Sequence, residues 1–350
     1  MSYFDDVYCG LCKDILENGV QVHNRTGIDT IKVPSAHFHL DLSKEFPILT
    51  TKQLFIRQAV TEMLWIYQAQ SNDVRWLQER NVHIWDKWEI NEDGDWIDEN
   101  TGKVLKHFDP SFAHTIGTAY GFIVKKYDLM NKLLNSLKND KEDRRRVISL
   151  WQDSELDTAV LPSCVWSSEW DVTDGKLNIW VHQRSCDVPL GLPFNVTQFA
   201  ALMHLYARVG GYKVGTLSWS IKDAHIYVNQ VEKIKELIER GKTLSIYEGY
   251  KNRTWLEGQL ENYKEEYDKI LKTLTKEELI NLKKGIVPDV LKSTDLKVKV
   301  CDYVLNPPSP ELWVNPDVKD FYKFNNDDEC KDIKVLNYKD LGKINFPVSE

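Results

Sequence analysis

The sequence is poor in several features, and each scarcity narrows what the chain can be. It has no run of about 18 apolar residues, so no segment reads as a bilayer-spanning helix. Basic residues are in the minority. The 45 Lys and Arg stand against 53 Asp and Glu, a formal net charge of −8, which argues against sequence-independent binding to DNA and leaves room only for a local basic cluster. Internal repeats and low-complexity tracts are absent. Cysteines are few and scattered (Cys9, Cys12, Cys164, Cys186, Cys301, Cys330), which argues against a disulfide framework. Cys9 and Cys12 form a C-x-x-C, but no second pair sits at zinc-site spacing and the surrounding YCGLCKDILENG reads as a helix. The start, MSYFDDVYCG, lacks the basic and apolar regions of a signal peptide, so the expectation is a cytoplasmic chain with no membrane partner and reduced thiols.

What is present suits an ordinary globular protein. With 350 residues, 42% apolar and 11% aromatic, the chain can bury a large core. Residues 3–18 read as an amphipathic helix that Gly19 ends, and NRTGIDTIKVPSAHFHLDL alternates as half-buried strands do. FPILTTKQLFIRQAVTEMLWIYQ, from Phe46 to Gln68, opens on Pro and threonines and then takes helical spacing, with Glu62 embedded in it. NEDGDWIDENTGK reads as a surface hairpin, and YDLMNKLLNSLKND as a helix leading into a strand at Val147. SSEWDVTDGKLNIWVHQRS reads strand, Asp174-Gly175 turn, strand; FNVTQFAALMHLYARVGGY is a second long buried helix. From about Lys242 to Pro307 the pattern turns helical and charged, with a capping-box signature from Thr275 to Glu278 and a stop at Gly285. Strand-like patches return in the tail.

Few residues carry an obvious chemistry. Cys164, in LPSC, begins one strand of the hairpin and Arg184 ends the other, so a cation could stabilise a thiolate there. Alone, the cysteine reads first as a buried thiol, and only its context argues otherwise. Arg144, Arg145 and Arg146 in DRRR, with Arg25 in NRTG, could fork around a phosphate or form a solvated helix end. Glu62, inside TEMLWIY, is either a proton-transfer group with a raised pKa or a structural ion-pair partner. Trp85 and Trp88 in HIWDKW offer aromatic walls that could equally be core.

Taken together, RTG, FPILTTK, EMLW, HIWDKW, AYG, DRRR, LPSC, QRSCDVPLGLPFN and DAHIY occur in an order that resembles the thymidylate synthase family over roughly residues 20–240. The tail, LWVNPDVKDFY and LNYKD, resembles that family's C-terminal segment. The resemblance implies an α/β (α+β) fold, a large twisted mixed sheet flanked by helices, with sheets packed back to back in a homodimer. A single catalytic domain would span 1–350, with a helical insertion at about 242–307. The implied reaction is reductive methylation of dUMP to dTMP, with 5,10-methylenetetrahydrofolate giving both the carbon and the hydride and no metal needed.

The resemblance also distributes roles. Cys164 would be the nucleophile at pyrimidine C6, Glu62 the acid/base, and Arg184, Asp187 and Tyr120 further members of the catalytic set. Arg25, Arg184 and Ser185 would hold the phosphate, joined by Arg144 and Arg145 from the second subunit. Gln183 and Asn195 would meet the pyrimidine, Asn195 at O4 and N3–H, and His225 and Tyr227 the 3′-hydroxyl. Ile84, Trp85, Asp187, Leu190, Gly191 and Phe194 would form the folate site. Three departures stand out: Val165 follows the cysteine where most members have histidine, as in one divergent branch; Ile221 and Lys222 replace a common glycine pair; and Glu350 ends the chain. The alternative is hydroxymethylation of deoxyuridylate, or of deoxycytidylate, within the same family; Asn195 argues against a cytosine base, where aspartate is expected.

Overall fold

The computed structural model describes residues 1–24, 26–99, 101–250, 252–326 and 332–348; Arg25, Cys330 and Glu350 lie outside them. The N-terminal helix α1 (Tyr3–Asn18) starts at Ser2, whose hydroxyl accepts the Asp5 N–H at 3.0 Å. Asp5 is itself fully buried. Its carboxylate takes N–H bonds from Thr50 and Thr51, each at 3.0 Å, and the Thr51 hydroxyl at 2.8 Å. These bonds hold the FPILTTK segment in a non-helical path, and the helix expected to follow the proline and threonines of that segment begins at Ile56.

Short strands β1 (Val20–Val22), β2 (Thr30–Val33) and β3 (Ala36–Asp41) precede α2 (Ile56–Met63) and α3 (Arg75–Gln78). The surface hairpin is β4 (Asp95–Ile97) and β5 (Val104–His107), followed by α4 (Gly121–Lys126), α5 (Leu129–Asn139) and β6 (Val147–Ser149). Then come β7 (Val165–Thr173), β8 (Lys176–Gln183), β9 (Cys186–Asp187), α6 (Gly191–Gly210), β10 (Lys213–Ile221) and β11 (Ala224–Tyr227). The chain finishes with α7 (Val231–Gly249), α8 (Arg253–Thr273), α9 (Lys276–Lys283), α10 (Asp289–Leu305), β12 (Glu311–Val314) and β13 (Ile333–Leu336). Residue 242 falls within α7, so the composition shift begins mid-helix.

Among the described residues the strands form a five-stranded mixed sheet, β3-β10-β8-β7-β6, and a four-stranded sheet, β1-β2-β11-β9. Only β10/β8 and β11/β9 pair in parallel. Helix α6 crosses the core with Leu192, Val196, Phe199, Leu202, Met203 and Tyr206 all buried, as expected of a helix enclosed by protein on most sides. Its N-terminal half meets α2 through Gln198, and that seam holds the site. Among the described residues no helix is long and apolar enough to cross a membrane.

Helix α10 packs on α7 and on α8. Helix α8 buries Leu256 alone and α9 buries no residue, while α10 buries Val300, Cys301 and Tyr303. The capping box foreseen at Thr275 and Glu278 is present, and Gly285 follows the end of α9. Tyr303 ties the segment to the body through a 2.8 Å hydrogen bond with the Thr50 hydroxyl.

Candidate active site

The β7/β8 hairpin brings Cys164 and Arg184 together. The register pairs Val165 with Gln183, and the Arg184 N–H donates to the Cys164 carbonyl at 2.9 Å. The Arg184 guanidinium then wraps the LPSC strap, donating to the carbonyls of Pro162 (2.7 Å) and Ser163 (3.1 Å). Nη2 lies 3.7 Å from the Cys164 sulfur, where a fixed cation favours thiolate over thiol. The Trp151 ring packs 5.7 Å from the guanidinium carbon and limits its rotation.

Tyr120 supports the strap from the other side. Its hydroxyl accepts the Cys164 N–H at 3.3 Å, and burial pushes its pKa up, so it stays a protonated phenol. The AYG motif has a steric reason. Tyr120 sits at φ 47, ψ −106, and a Cβ on Gly121 would fall 2.0 Å from the Ser71 carbonyl oxygen, so only glycine lets the chain turn there.

Glu62 faces Cys164 from α2, which passes directly into a π-helical turn at Leu64–Gln68. Such turns recur at functional sites because they re-aim the helix. One carboxylate oxygen accepts the Trp85 indole N–H at 2.7 Å, and the other accepts Nε2 of Gln198. Desolvation raises the Glu62 pKa, and the two donors pull it partly back. Gln198 also accepts from Asn195 Nδ2 at 3.1 Å; Asn195 in turn accepts from Gln183 at 3.2 Å, and Gln183 from the Trp219 indole at 3.0 Å. An unbroken chain of hydrogen bonds therefore runs from Gln183 to Glu62. Cys164, Glu62, Trp85, Tyr120, Asn195 and Gln198 all line one cavity of about 180 Å³.

Gln198 was not singled out from sequence. The available signal was its spacing, one helical turn beyond Asn195, which puts both amides on one face of α6. Lys52 was also missed. It is buried, donates to the Pro189 carbonyl at 2.8 Å, and burial holds its pKa down at about 8.

The remaining expected residues divide by location. Asp187 ends β9, accepting the Leu190 N–H at 3.3 Å and Nε2 of Gln230 at 3.1 Å, and burial raises its pKa. Leu190, Gly191 and Phe194 continue from it into the first turn of α6; Ile84 adjoins Trp85, whose ring stands 5.3 Å from Tyr120. His225 and Tyr227 lie buried on β11 with rings 5.3 Å apart, and His225 Nδ1 pairs with Asp223 at 3.0 Å. Ser185 is half-buried between Arg184 and β9. Arg144 and Arg145 are exposed before β6 and do not line the Cys164 cavity; Arg145 pairs with Asp143 at 3.1 Å. Arg146 turns inward, donating to the Ser136 hydroxyl at 2.9 Å and to the Asp140 carbonyl at the end of α5. The arginine run thus divides into a buried cap and two exposed cations, of which Arg145 pairs with Asp143.

A thiol under a fixed arginine, opposed by a buried carboxyl and an amide lining the same cavity, is an arrangement suited to nucleophilic addition. Comparisons with known proteins place the chain in a family. The family model for thymidylate synthase matches residues 6–271. A thymidylate synthase of Clostridium beijerinckii is 38% identical over 349 residues, covering 100% of both chains; thymidylate synthase 1 of Bacillus subtilis (strain 168) is 32% identical over 368 aligned positions, again covering 100% of both. The solved thermostable thymidylate synthase A from Bacillus subtilis superposes with a TM-score of 0.68 at 30% identity over 99% of each chain. The chain belongs to the thymidylate synthase family.

Proposed function

We propose that the protein performs reductive methylation of dUMP to dTMP, with Cys164 as the nucleophile and Glu62 as the proton-transfer group. The observation that carries this reading is the 3.7 Å approach of Arg184 Nη2 to the Cys164 sulfur, in a cavity that Glu62 and Asn195 share.

Uracil C5 is a weak nucleophile. Addition of the Cys164 thiolate to C6 breaks the C5–C6 double bond and pushes its electron pair toward C5 and the O4 enolate, making C5 nucleophilic. Asn195 suits uracil because an amide offers an acceptor for N3–H and a donor for O4. Glu62, whose carboxyl burial pushes above the usual carboxylate range, moves protons at O4 and C5 as the bond to the one-carbon unit forms and the C5 proton leaves. Loss of the C5 proton would eliminate tetrahydrofolate and leave an exocyclic methylene; hydride from that folate, which becomes dihydrofolate, would convert the methylene to methyl, and the electron pair returning to C5–C6 would expel Cys164 as thiolate. Methylenetetrahydrofolate supplies both the carbon and the hydride, so the chemistry calls for no metal.

The residues of β9 and α6 suit a flat, N–H-bearing ring: the Asp187 carboxylate, held by the Leu190 N–H and the Gln230 amide, offers an acceptor, and Leu190, Phe194, Ile84 and Trp85 offer apolar walls. Phosphate falls to Arg184, Ser185 and Arg25, the sugar to His225 and Tyr227, and Gln183 orients Asn195. The exposure of Arg144 and Arg145 supports their serving the site of a second subunit in a homodimer. We assign the whole chain to one catalytic unit working in the cytoplasm, with α8 to α10 as a helical addition.

Incubation with dUMP and methylenetetrahydrofolate tests the proposal. Reductive methylation releases dihydrofolate, seen as an absorbance rise; tetrahydrofolate release without that rise means hydroxymethylation and overturns it. The Cys164→Ala variant is expected to lose turnover by more than about 10³-fold while keeping its melting temperature within a few degrees. Turnover equal to the unmodified protein would exclude Cys164 as nucleophile.

A further inference from the structure

The residues after β13 run back across the body, pinned first at their base. The Leu341 N–H donates to the Thr50 carbonyl at 2.9 Å, and the Gln53 N–H to the Gly342 carbonyl at 3.0 Å. Arg240 of α7 donates to the carbonyls of Leu341 and Gly342, each at 3.1 Å. Gly342 has φ +91, a left-handed conformation that redirects the chain. Beyond it Phe346 is buried, its ring centroid 4.7 Å from Lys52 Nζ.

The next residue meets Gln230. This glutamine is fully buried in the short turn between β11 and α7, and three segments meet at its amide. Its Oε1 accepts the Tyr227 N–H at 3.2 Å. Its Nε2 donates to Asp187 at 3.1 Å and to the Pro347 carbonyl at 3.0 Å. Both hydrogens and the acceptor are therefore committed, which fixes the amide plane. A carboxylate in the same shape would present oxygen to two acceptors. We propose that Gln230 is a positioning residue, a latch that holds the C-terminal segment closed at Pro347 and aims the Asp187 carboxylate in the same act.

The latch deepens the reading above and rests on it, because Asp187 matters to catalysis only as part of the folate site. It also makes a distinct claim. The segment is held at this point through a main-chain carbonyl, so closure here depends on the Gln230 amide and not on which side chain stands at 347. Phe346 and Lys52 supply the apolar part of the seat, and Gln230 the directional part.

Two measurements separate this proposal from the activity itself. The first is the rate at which a carboxypeptidase trims the ligand-free protein, with Gln230→Glu expected to speed trimming about tenfold, the worth of one buried hydrogen bond. This readout needs no turnover, so it stands even if the methylation assay fails. The second uses steady-state kinetics of Gln230→Glu, of a chain ending at Asn345, and of both changes combined. Gln230→Glu is expected to raise KM for methylenetetrahydrofolate about tenfold with KM for dUMP unchanged within a factor of about two. In the shortened chain the same substitution should have a smaller effect on a logarithmic scale, because Pro347, one of the two acceptors of its amide, is gone while Asp187 remains. An unchanged trimming rate, multiplicative effects of the two changes, or equal rises in both KM values would each overturn the latch.

Discussion

The Cys164 cavity and the helical segment α8 to α10 are held by different kinds of contact. Around the cavity, polar atoms are buried and answered one by one: Arg184 by carbonyls and sulfur, Glu62 by Trp85 and Gln198, Asn195 by Gln183. In the helical segment most polar contacts are local and exposed, among them the one-turn ion pairs Arg253–Glu257 and Lys269–Glu265. Buried and mutually satisfied bonds fix a geometry, because breaking one strands its partner without water. Exposed pairs are replaceable by water and contribute little. Chemistry requires the first kind of construction, and the helical segment shows almost none of it outside the Tyr303–Thr50 bond.

That contrast is tested most severely at Glu62. Glu62→Gln keeps the shape and removes the titrating proton, and kcat is expected to fall at least about 10²-fold at all pH values, since general acid–base catalysis contributes at that level. A kcat reduced less than about fivefold would show that Glu62 is structural. Gln198→Leu probes the same group one step away. It removes a donor to the ionised carboxylate, so the Glu62 pKa should rise further and the acidic limb of the kcat profile should move to higher pH, with kcat down about tenfold. An unmoved limb would cut Gln198 out of the relay.

The hairpin half of the site was legible because turns set register. Asp174-Gly175 pairs Thr173 with Lys176, and counting back along both strands brings Val165 opposite Gln183, with a bulge between Val165 and Ser167. Cys164 and Arg184 follow as neighbours. The role of Gln198 was hidden because a polar residue in a buried helix has many possible partners, and only the packing of α6 on α2 selects Glu62. The π-turn after Met63 likewise depends on hydrogen bonds that no periodicity announces. Arg146 looked the same as Arg144 and Arg145 until the end of α5 offered it a carbonyl. What sequence carried was local spacing, and what it withheld was the choice among equivalent partners.

Lys52 extends the comparison to pH. Burial holds its pKa at about 8, against 10.5 for the free side chain, so between those values the unfolded chain binds a proton that the folded one does not. Stability from this group is therefore lowest below pH 8 and rises as pH climbs toward 10.5. Lys52→Met abolishes the titration, and its melting temperature relative to the unmodified protein should fall as pH moves from 8 to 10.5. A difference that stays flat across that window would mean that Lys52 keeps its charge in the folded state.

The smallest effect belongs to the helical segment. Arg253 Nε meets Glu257 at 2.9 Å at the start of α8, with both side chains more than half exposed, and it also donates to the Leu305 carbonyl at 3.5 Å, too long to count heavily. Arg253→Ala is expected to change stability by less than about 0.5 kcal/mol and to leave kcat and both KM values unaltered. Tyr303→Phe, by contrast, should cost about 1 kcal/mol, because the Thr50 hydroxyl is buried and loses a partner. Thermal melts of the two variants measured together decide the matter. Equal losses would mean that α8 to α10 are fastened as much by their surface pairs as by the buried bond, and a loss confined to Tyr303→Phe would mean that the bond to the loop leading to Lys52 outweighs those pairs.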